Sequence, residues 1–209
     1  MDKLKIIEIF KSIQGESSYT GFPCTFIRLS GCNLDCTYCD TQYARSGGKT
    51  FSIDEIISRV KKLNCSLIEI TGGEPLLQKE VYPLMKKLLE LKYKVLIETN
   101  GSISLKHIPK KVIKIMDIKC PDSGMSDKMD FNNLKFLSNK DEIKFVIKSR
   151  RDYLWAKHII SQFSLNKKTQ LLFSPVLGHI EPKKIAGWIL KDNLPVRFQL
   201  QVHKIINIK

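Results

Sequence analysis

Three cysteines fall close together in the segment Cys32-Asn33-Leu34-Asp35-Cys36-Thr37-Tyr38-Cys39, a C-x3-C-x2-C spacing. Three thiolates on one loop can hold three irons of a 4Fe–4S cluster and leave the fourth iron without a protein ligand. An open metal position keeps room for a reactant, here one that chelates through an amino group and a carboxylate. The alternative is structural zinc, which takes four closed ligands. Cys24 or Cys65 would then have to complete the site, because His107, His158, His179 and His203 are all distant in the sequence.

The elements around this loop alternate between strand and helix. Thr25–Ser30 reads as a buried strand. Ser52-Ile53-Asp54-Glu55 is a capping box that opens a helix with Ile53, Ile56, Ile57, Val60 and Leu63 on one face. Leu67–Thr71 is a strand, residues 79–91 a helix, and Lys94–Thr99 a strand ending at the Asn100-Gly101 turn. Further strands are expected at Val112–Ile118, Glu142–Lys148, Gln170–Phe173 and Val196–Val202, with helices at Arg151–Phe163 and Pro182–Leu190. The N-terminal residues form an alternating apolar segment.

About seven strands and four or five helices in this order predict an α/β fold with a mostly parallel sheet. A complete eight-fold barrel takes ~250 residues, and this chain has 209. The expectation is therefore a partial, open β/α barrel, with one domain over residues 1–209. The polar and glycine-rich breaks follow strand C-termini, the edge at which parallel α/β folds bind ligands. The cysteine cluster lies in the first of these breaks.

Composition narrows the function classes. Apolar residues make up 43% of the chain, which suits a globular protein. No stretch approaches the roughly 18 apolar residues of a membrane span, and no signal peptide is read at Met1-Asp2-Lys3, so a cytoplasmic protein is expected. Cytosolic cysteines argue against disulfides. The net charge of +14, from 35 basic and 21 acidic residues, attracts polyanions. Its lysines are scattered in pairs such as Lys61-Lys62 and Lys110-Lys111, without an aromatic-rich basic stripe, so nucleic acid is not the expected partner.

The cysteine spacing, with an aromatic residue before the third cysteine, resembles the signature of the radical S-adenosylmethionine superfamily. Thr71-Gly72-Gly73-Glu74-Pro75 resembles its glycine-rich motif, and Glu98-Thr99-Asn100-Gly101 a segment that recurs in it. Alone, Gly-Gly-Glu-Pro also reads as a simple strand-to-helix turn. A closer resemblance spans nearly the whole chain and is to the 7-carboxy-7-deazaguanine synthase family. It rests on Phe10-Lys11-Ser12-Ile13-Gln14-Gly15-Glu16, on Phe26-Ile27-Arg28-Leu29-Ser30-Gly31-Cys32, on Cys39-Asp40-Thr41 and on Gln201-Val202-His203-Lys204.

That resemblance implies a lyase of queuosine and 7-deazapurine biosynthesis. It would convert 6-carboxy-5,6,7,8-tetrahydropterin to 7-carboxy-7-deazaguanine and release ammonia. A 4Fe–4S cluster on Cys32, Cys36 and Cys39, S-adenosylmethionine and Mg²⁺ would be its cofactors. A flavodoxin or ferredoxin would be its electron donor, and the chain would form a homodimer. The implied contacts to S-adenosylmethionine are Tyr38, Asp40, Gly73, Glu74, Glu98, Asn100, Asp117, Ile118, Lys119, Ser174, Pro175, Val176 and Leu177. Glu74 is expected to accept from the methionine ammonium. Family members often carry Ser-Pro-Lys where this chain has Asp117-Ile118-Lys119, which weakens that part of the transfer.

The implied substrate contacts are Ile13, Gln14, Gly15, Glu16, Arg28, Thr71 and the terminal Lys209, with Thr41 as the Mg²⁺ ligand. Arg28 would pair with the substrate carboxylate, since a buried strand tolerates a guanidinium poorly without a counter-charge. His203, expected on the last strand, is the candidate proton donor. Cys24, Cys65 and Cys120 are expected to stay unliganded. Two other classes remain in play: an activase that forms a glycyl radical on a partner protein, and a basic zinc-binding nucleic-acid module.

Overall fold

The computed structural model describes residues 3–208, so the expected contact of Lys209 with substrate lies outside the described residues. The alternating N-terminal segment is strand β1 (Lys3–Ile13), which pairs antiparallel with β2 (Pro23–Leu29) and with the short β3 (Lys49–Ser52). From β2 onward every pairing is parallel, through β4 (Leu67–Gly72), β5 (Lys94–Thr99), β6 (Ile113–Ile118), β7 (Glu142–Ile147), β8 (Gln170–Pro175) and β9 (Arg197–Phe198). The order is β3-β1-β2-β4-β5-β6-β7-β8-β9, an open nine-stranded sheet. The expected partial barrel is thus present. It has two more strands than the sequence count: the alternating N-terminal segment, which pairs along most of its length with β2, and the four-residue β3, which is too short to carry a pattern.

Helix α1 (Ile53–Leu63) begins as the capping box requires: the Glu55 N–H donates to Ser52 Oγ, and the Ser52 N–H donates to Glu55 Oε2 at 2.7 Å. Helices α2 (Val81–Glu90), α3 (Arg150–Phe163) and α4 (Pro182–Asp192) follow close to their expected bounds. The regular alternation fails between β5 and β7. There the crossovers are short 3₁₀ turns, such as Leu105–His107, Pro121–Ser123 and Phe131–Phe136. Pro109, Pro121 and Gly124 interrupt those segments before a helix can propagate.

The last expected strand is also shorter. Only Arg197–Phe198 pairs with β8, and the chain then leaves the sheet and enters a one-turn helix, α5 (Val202–Ile205). The departure has a visible cause: the Val202 N–H donates to the Gly15 carbonyl at 3.0 Å, across the top of the sheet. His203 therefore sits on α5 rather than on a strand.

Alternate residues of the central strands serve different environments. Ile68, Ile70, Ile97, Ile118 and Phe145 are fully buried on the outer face against helix residues such as Ile56, Leu84 and Tyr153. Each such side chain contributes roughly 1.5–3 kcal/mol. On the inner face, Cys24, Leu67, Leu96, Ile113 and Ile115 form a small apolar plug with Tyr19 and Phe26. Beyond the plug the same face turns polar, with Glu69, Thr71, Glu98, Asp117 and Lys144. Replacing Ser52 by Ala should remove the α1 cap and lower unfolding free energy by about 1 kcal/mol in urea titration.

Candidate active site

The inner polar face opens into a cavity of about 470 Å³, in the size range of small-molecule sites. Cys32, Cys36 and Cys39 line one side, and Ile13, Gln14, Gly15 and Glu16 line another. Among the other expected residues, Arg28, Tyr38, Asp40, Thr41, Thr71, Gly73, Glu98, Asn100, Asp117, Lys119, Val176, Leu177 and His203 also line it. Motifs from the two ends of the chain thus converge on one space.

The cysteine loop is held by the loops that follow neighbouring strands. The Gly31 N–H donates to the Ala44 carbonyl at 2.8 Å, and the Glu74 N–H donates to the Gly31 carbonyl at 2.8 Å. Asn100 Nδ2 donates to Asn33 Oδ1 at 3.1 Å, and Thr37 Oγ1 donates to the Asp122 carbonyl at 2.7 Å. A Cβ on Gly73 would lie 2.2 Å from the Gly31 oxygen and 2.7 Å from the Cys32 Cβ, so only glycine permits this approach. All six cysteines are unpaired thiols. Cys24 and Cys65 are buried outside the cavity lining and are not placed to complete a zinc site with the loop. Three thiols facing a cavity, on a loop fixed from three sides, fit a 4Fe–4S cluster with one open iron.

Some expected contacts are not available to a ligand. The Glu74 carboxylate is fully buried and satisfied by the protein: it accepts from the Leu76 N–H at 3.0 Å, the Asn100 N–H at 2.7 Å and the Thr99 hydroxyl at 3.0 Å. Burial pushes it up to about 7. Its work is to pin the end of β5 to the glycine-rich loop, which corrects the expectation that it meets the methionine ammonium. Ile118 points into the outer core, because it alternates with the inward Asp117. Ser174 and Pro175 are buried outside the cavity lining, whereas Val176 and Leu177 reach it. The Gln14 amide is also committed: Nε2 donates to Glu69 Oε2 at 2.9 Å, while Oε1 accepts from the Glu16 and Ser17 N–H groups.

Arg28 has a protein partner as well as the cavity. Its Nε donates to Glu8 Oε1 at 2.8 Å, and its guanidinium lies 5.8 Å from the Phe10 and Tyr43 ring centres. A guanidinium has donors beyond Nε, so this pairing orients the fork without exhausting it. Thr41 Oγ1 donates to Asp40 Oδ1 at 2.9 Å, which leaves the Thr41 oxygen as an acceptor. Burial raises the Asp40 carboxyl, but the Lys204 ammonium outweighs it and holds the group at about 2.

The residue at the centre of the charged network lies in no family motif. Lys144, in the middle of β7, is almost fully buried and donates to Glu16 Oε2 at 2.7 Å and to Glu98 Oε1. Asp117 Oδ2 lies 3.6 Å away and pairs with Lys119 at 2.8 Å. Burial opposes the Lys144 charge, yet Glu16, Glu98 and Asp117 together raise its pKa well above normal. Burial likewise raises Glu16 and Asp117, but their lysines hold both below the usual carboxylate range. Glu69 lies beside this group. Gln201 and Lys204, in the C-terminal motif, had no expected role: Gln201 Nε2 donates to Glu16 Oε1 at 2.8 Å, and Lys204 reaches both Gln201 Oε1 and Asp40. With His203 Nε2 3.8 Å from Glu16 Oε1, the C-terminal segment straps the Gln14–Glu16 loop over the cavity. The available signal was charge inside apolar strands, Ile68-Glu69-Ile70 and Ile143-Lys144-Phe145, where an ion must serve a site or a buried pair.

Replacing Lys144 by Met should destabilise the protein by about 3–5 kcal/mol at neutral pH, because it strands buried carboxylates. Glu16 and Asp117 titrate below their normal values in the folded protein, so their contribution is present above the unfolded carboxylate range and lost as pH falls through it. The stability gap between wild type and Lys144→Met, measured by urea unfolding, should therefore narrow as the pH is lowered towards about 4.

Comparison with known proteins agrees with this geometry. Residues 26–120 match the model of the Radical SAM superfamily. A 7-carboxy-7-deazaguanine synthase from Koribacter versatilis is 47% identical, over 97% of this chain and 96% of the relative. One from Chlorobaculum tepidum is 45% identical, over 97% and 94%. The crystal structure of QueE from Escherichia coli superposes with a TM-score of 0.81 at 20% identity, covering 96% of this chain and 95% of that one, and so shares the fold. With near-complete coverage of both partners at such identity, and the motif residues gathered around one cavity, this chain belongs to the 7-carboxy-7-deazaguanine synthase family of radical S-adenosylmethionine enzymes.

Proposed function

We propose that this protein rearranges 6-carboxy-5,6,7,8-tetrahydropterin to 7-carboxy-7-deazaguanine with loss of ammonia, in queuosine and 7-deazapurine biosynthesis. The observation that carries the reading is the convergence, on one cavity, of the three-cysteine loop with the Ile13–Glu16 segment and the C-terminal strap, in a chain aligned end to end with synthases of that name. A bound 4Fe–4S cluster with S-adenosylmethionine would supply one-electron, hydrogen-abstracting chemistry at the pterin. Cys32, Cys36 and Cys39 would hold the cluster. The backbone at Gly73, with Tyr38, Asp40, Asn100, Asp117, Lys119, Val176 and Leu177, would border S-adenosylmethionine.

The protein's own part is to bind, orient and exclude water. Arg28, aimed by Glu8 and flanked by Phe10 and Tyr43, would take the substrate carboxylate. Thr41, with its proton turned to Asp40, would offer an oxygen to Mg²⁺, a cation that prefers hard ligands and substrate oxygens. Thr71, whose hydroxyl lies 3.3 Å from Glu98 Oε2, and Glu16 would face the ring system. His203, whose Nε2 lies 3.8 Å from Glu16 Oε1, would exchange a proton with the substrate. The C-terminal strap would hold the Gln14–Glu16 loop in place against the substrate. A flavodoxin or ferredoxin would deliver the electron, and the working form would be a cytoplasmic homodimer. Among the described residues no helix is long and apolar enough to cross a membrane.

The glycyl-radical activase and the zinc-binding nucleic-acid module find less support. An activase must admit a protein chain, whereas this cavity has the volume of a small-molecule site. The cysteine loop faces that cavity rather than a basic outer surface.

Anaerobic reconstituted protein supplied with the tetrahydropterin, S-adenosylmethionine, reductant and Mg²⁺ should form the deazapurine, detected by mass; its absence would refute the reading. Cys36→Ala should lose the brown cluster colour and all reductive cleavage of S-adenosylmethionine, with retained cleavage counting against the ligand assignment.

A further inference from the structure

Glu69 is a buried carboxyl that faces the cavity and has no role in the account above. Its side chain projects from β4, between the apolar plug and Thr71, and the residue is 2% exposed. Its hydrogen bond is from Gln14 Nε2 at 2.9 Å. Among the described residues no cation lies within ion-pair distance of it. The groups that face it come from every surrounding element: Cys24 on β2, Glu98 on β5, Lys144 on β7, and Gln14 and Glu16 on the loop after β1. Lys144 directs its short contacts to Glu16 and Glu98, and its next carboxylate is Asp117.

Charge balance decides the state of this group. Around Lys144 the carboxylates are Glu16, Glu69, Glu98 and Asp117 and the cations are Lys144 and Lys119, so an ionised Glu69 would add to a local excess of negative charge at a residue that is itself only 2% exposed. Holding a proton on Glu69 relieves that excess and converts an acceptor into a donor.

We propose that Glu69 stands in the site as the un-ionised acid and donates a hydrogen bond to an acceptor atom of the bound heterocycle, so that it helps determine which ring the cavity accepts. This rests on the pterin reading of the site. Burial, and next the Glu98 carboxylate, push Glu69 up to about 8, which keeps the proton in place at neutral pH. As pH rises past that value the donor is lost and a further negative charge appears beside Glu98 and Glu16.

The test uses reconstituted holoenzyme with S-adenosylmethionine and 6-carboxypterin, an unreactive fluorescent relative of the substrate, titrated across neutral and alkaline pH. Ionisation of the pterin itself affects every variant alike, so the ratio of dissociation constants, wild type over Glu69→Gln, isolates Glu69. That ratio should rise by about tenfold per pH unit once Glu69 ionises. A ratio independent of pH overturns the proposal. Should Glu69→Gln fail to fold, Glu69→Asp retains an acid and should still show an alkaline break after the same correction; a variant without one overturns the proposal. Infrared difference spectra, wild type minus Glu69→Gln, give an activity-free readout that cancels the buried Glu74 carboxyl: the carbonyl stretch of an un-ionised carboxyl should be present at neutral pH and vanish as the pH is raised past about 8, and its absence counts against Glu69. A holoenzyme that binds no pterin at any pH overturns the functional reading instead, and the infrared result then still reports on the proton.

Discussion

One buried ammonium organises the interior of this protein. Lys144 rises from the middle of β7 and gathers Glu16 from the N-terminal loop, Glu98 from β5 and, at longer range, Asp117 from β6. Neither the lysine nor the carboxylates would be stable alone in so dry a space. Their mutual neutralisation allows charged side chains to stand on the inner face of strands whose outer face is packed with isoleucine, leucine and phenylalanine. Without that neutralisation the inner face would have to be apolar throughout, as it is in the plug of Cys24, Leu67, Leu96, Ile113 and Ile115 below it.

The same network joins the two halves of the chemistry. Asp117 and its partner Lys119 belong to the side of the cavity that carries Cys36, while Glu16 belongs to the segment expected to hold the pterin. Radical enzymes must hold their reactants in register and keep other hydrogen donors away. A shared ammonium, rather than two independent salt bridges, ties the position of one wall to the other. The strap made by Gln201, His203 and Lys204 adds a third anchor, because it bonds Glu16 and Asp40 at once.

Glycine plays a different part from the one its motif suggests. Gly73 is required chiefly because the cysteine loop crosses directly over it, and Gly15 because His203 does: a Cβ there would lie 2.4 Å from the His203 Nδ1. Both positions let backbone segments approach each other, and the binding surface is a consequence of that approach. Glu74 shows the same logic, for its carboxylate is spent on holding the glycine-rich loop to the end of β5.

The sequence alone determined the three-cysteine loop and its place after a strand, the parallel α/β class, the capping box of α1 and most strand positions, because these depend on spacing and on local periodicity. It also located the ligand edge, since polar breaks after strands reveal which end of the sheet is open. Tertiary structure alone decided the rest. β3 is too short to carry a pattern and exists through pairing; the strand expected at Val196–Val202 is cut to Arg197–Phe198; the crossovers after β5 and β6 lack α-helices; and Val202 turns away from the sheet because Gly15 offers it a carbonyl. The surroundings of Lys144 and Glu69 were decided there too. A charged residue in an apolar strand signals that something must compensate it, but the compensating groups lie on other strands, and their distances are set only when the sheet curls.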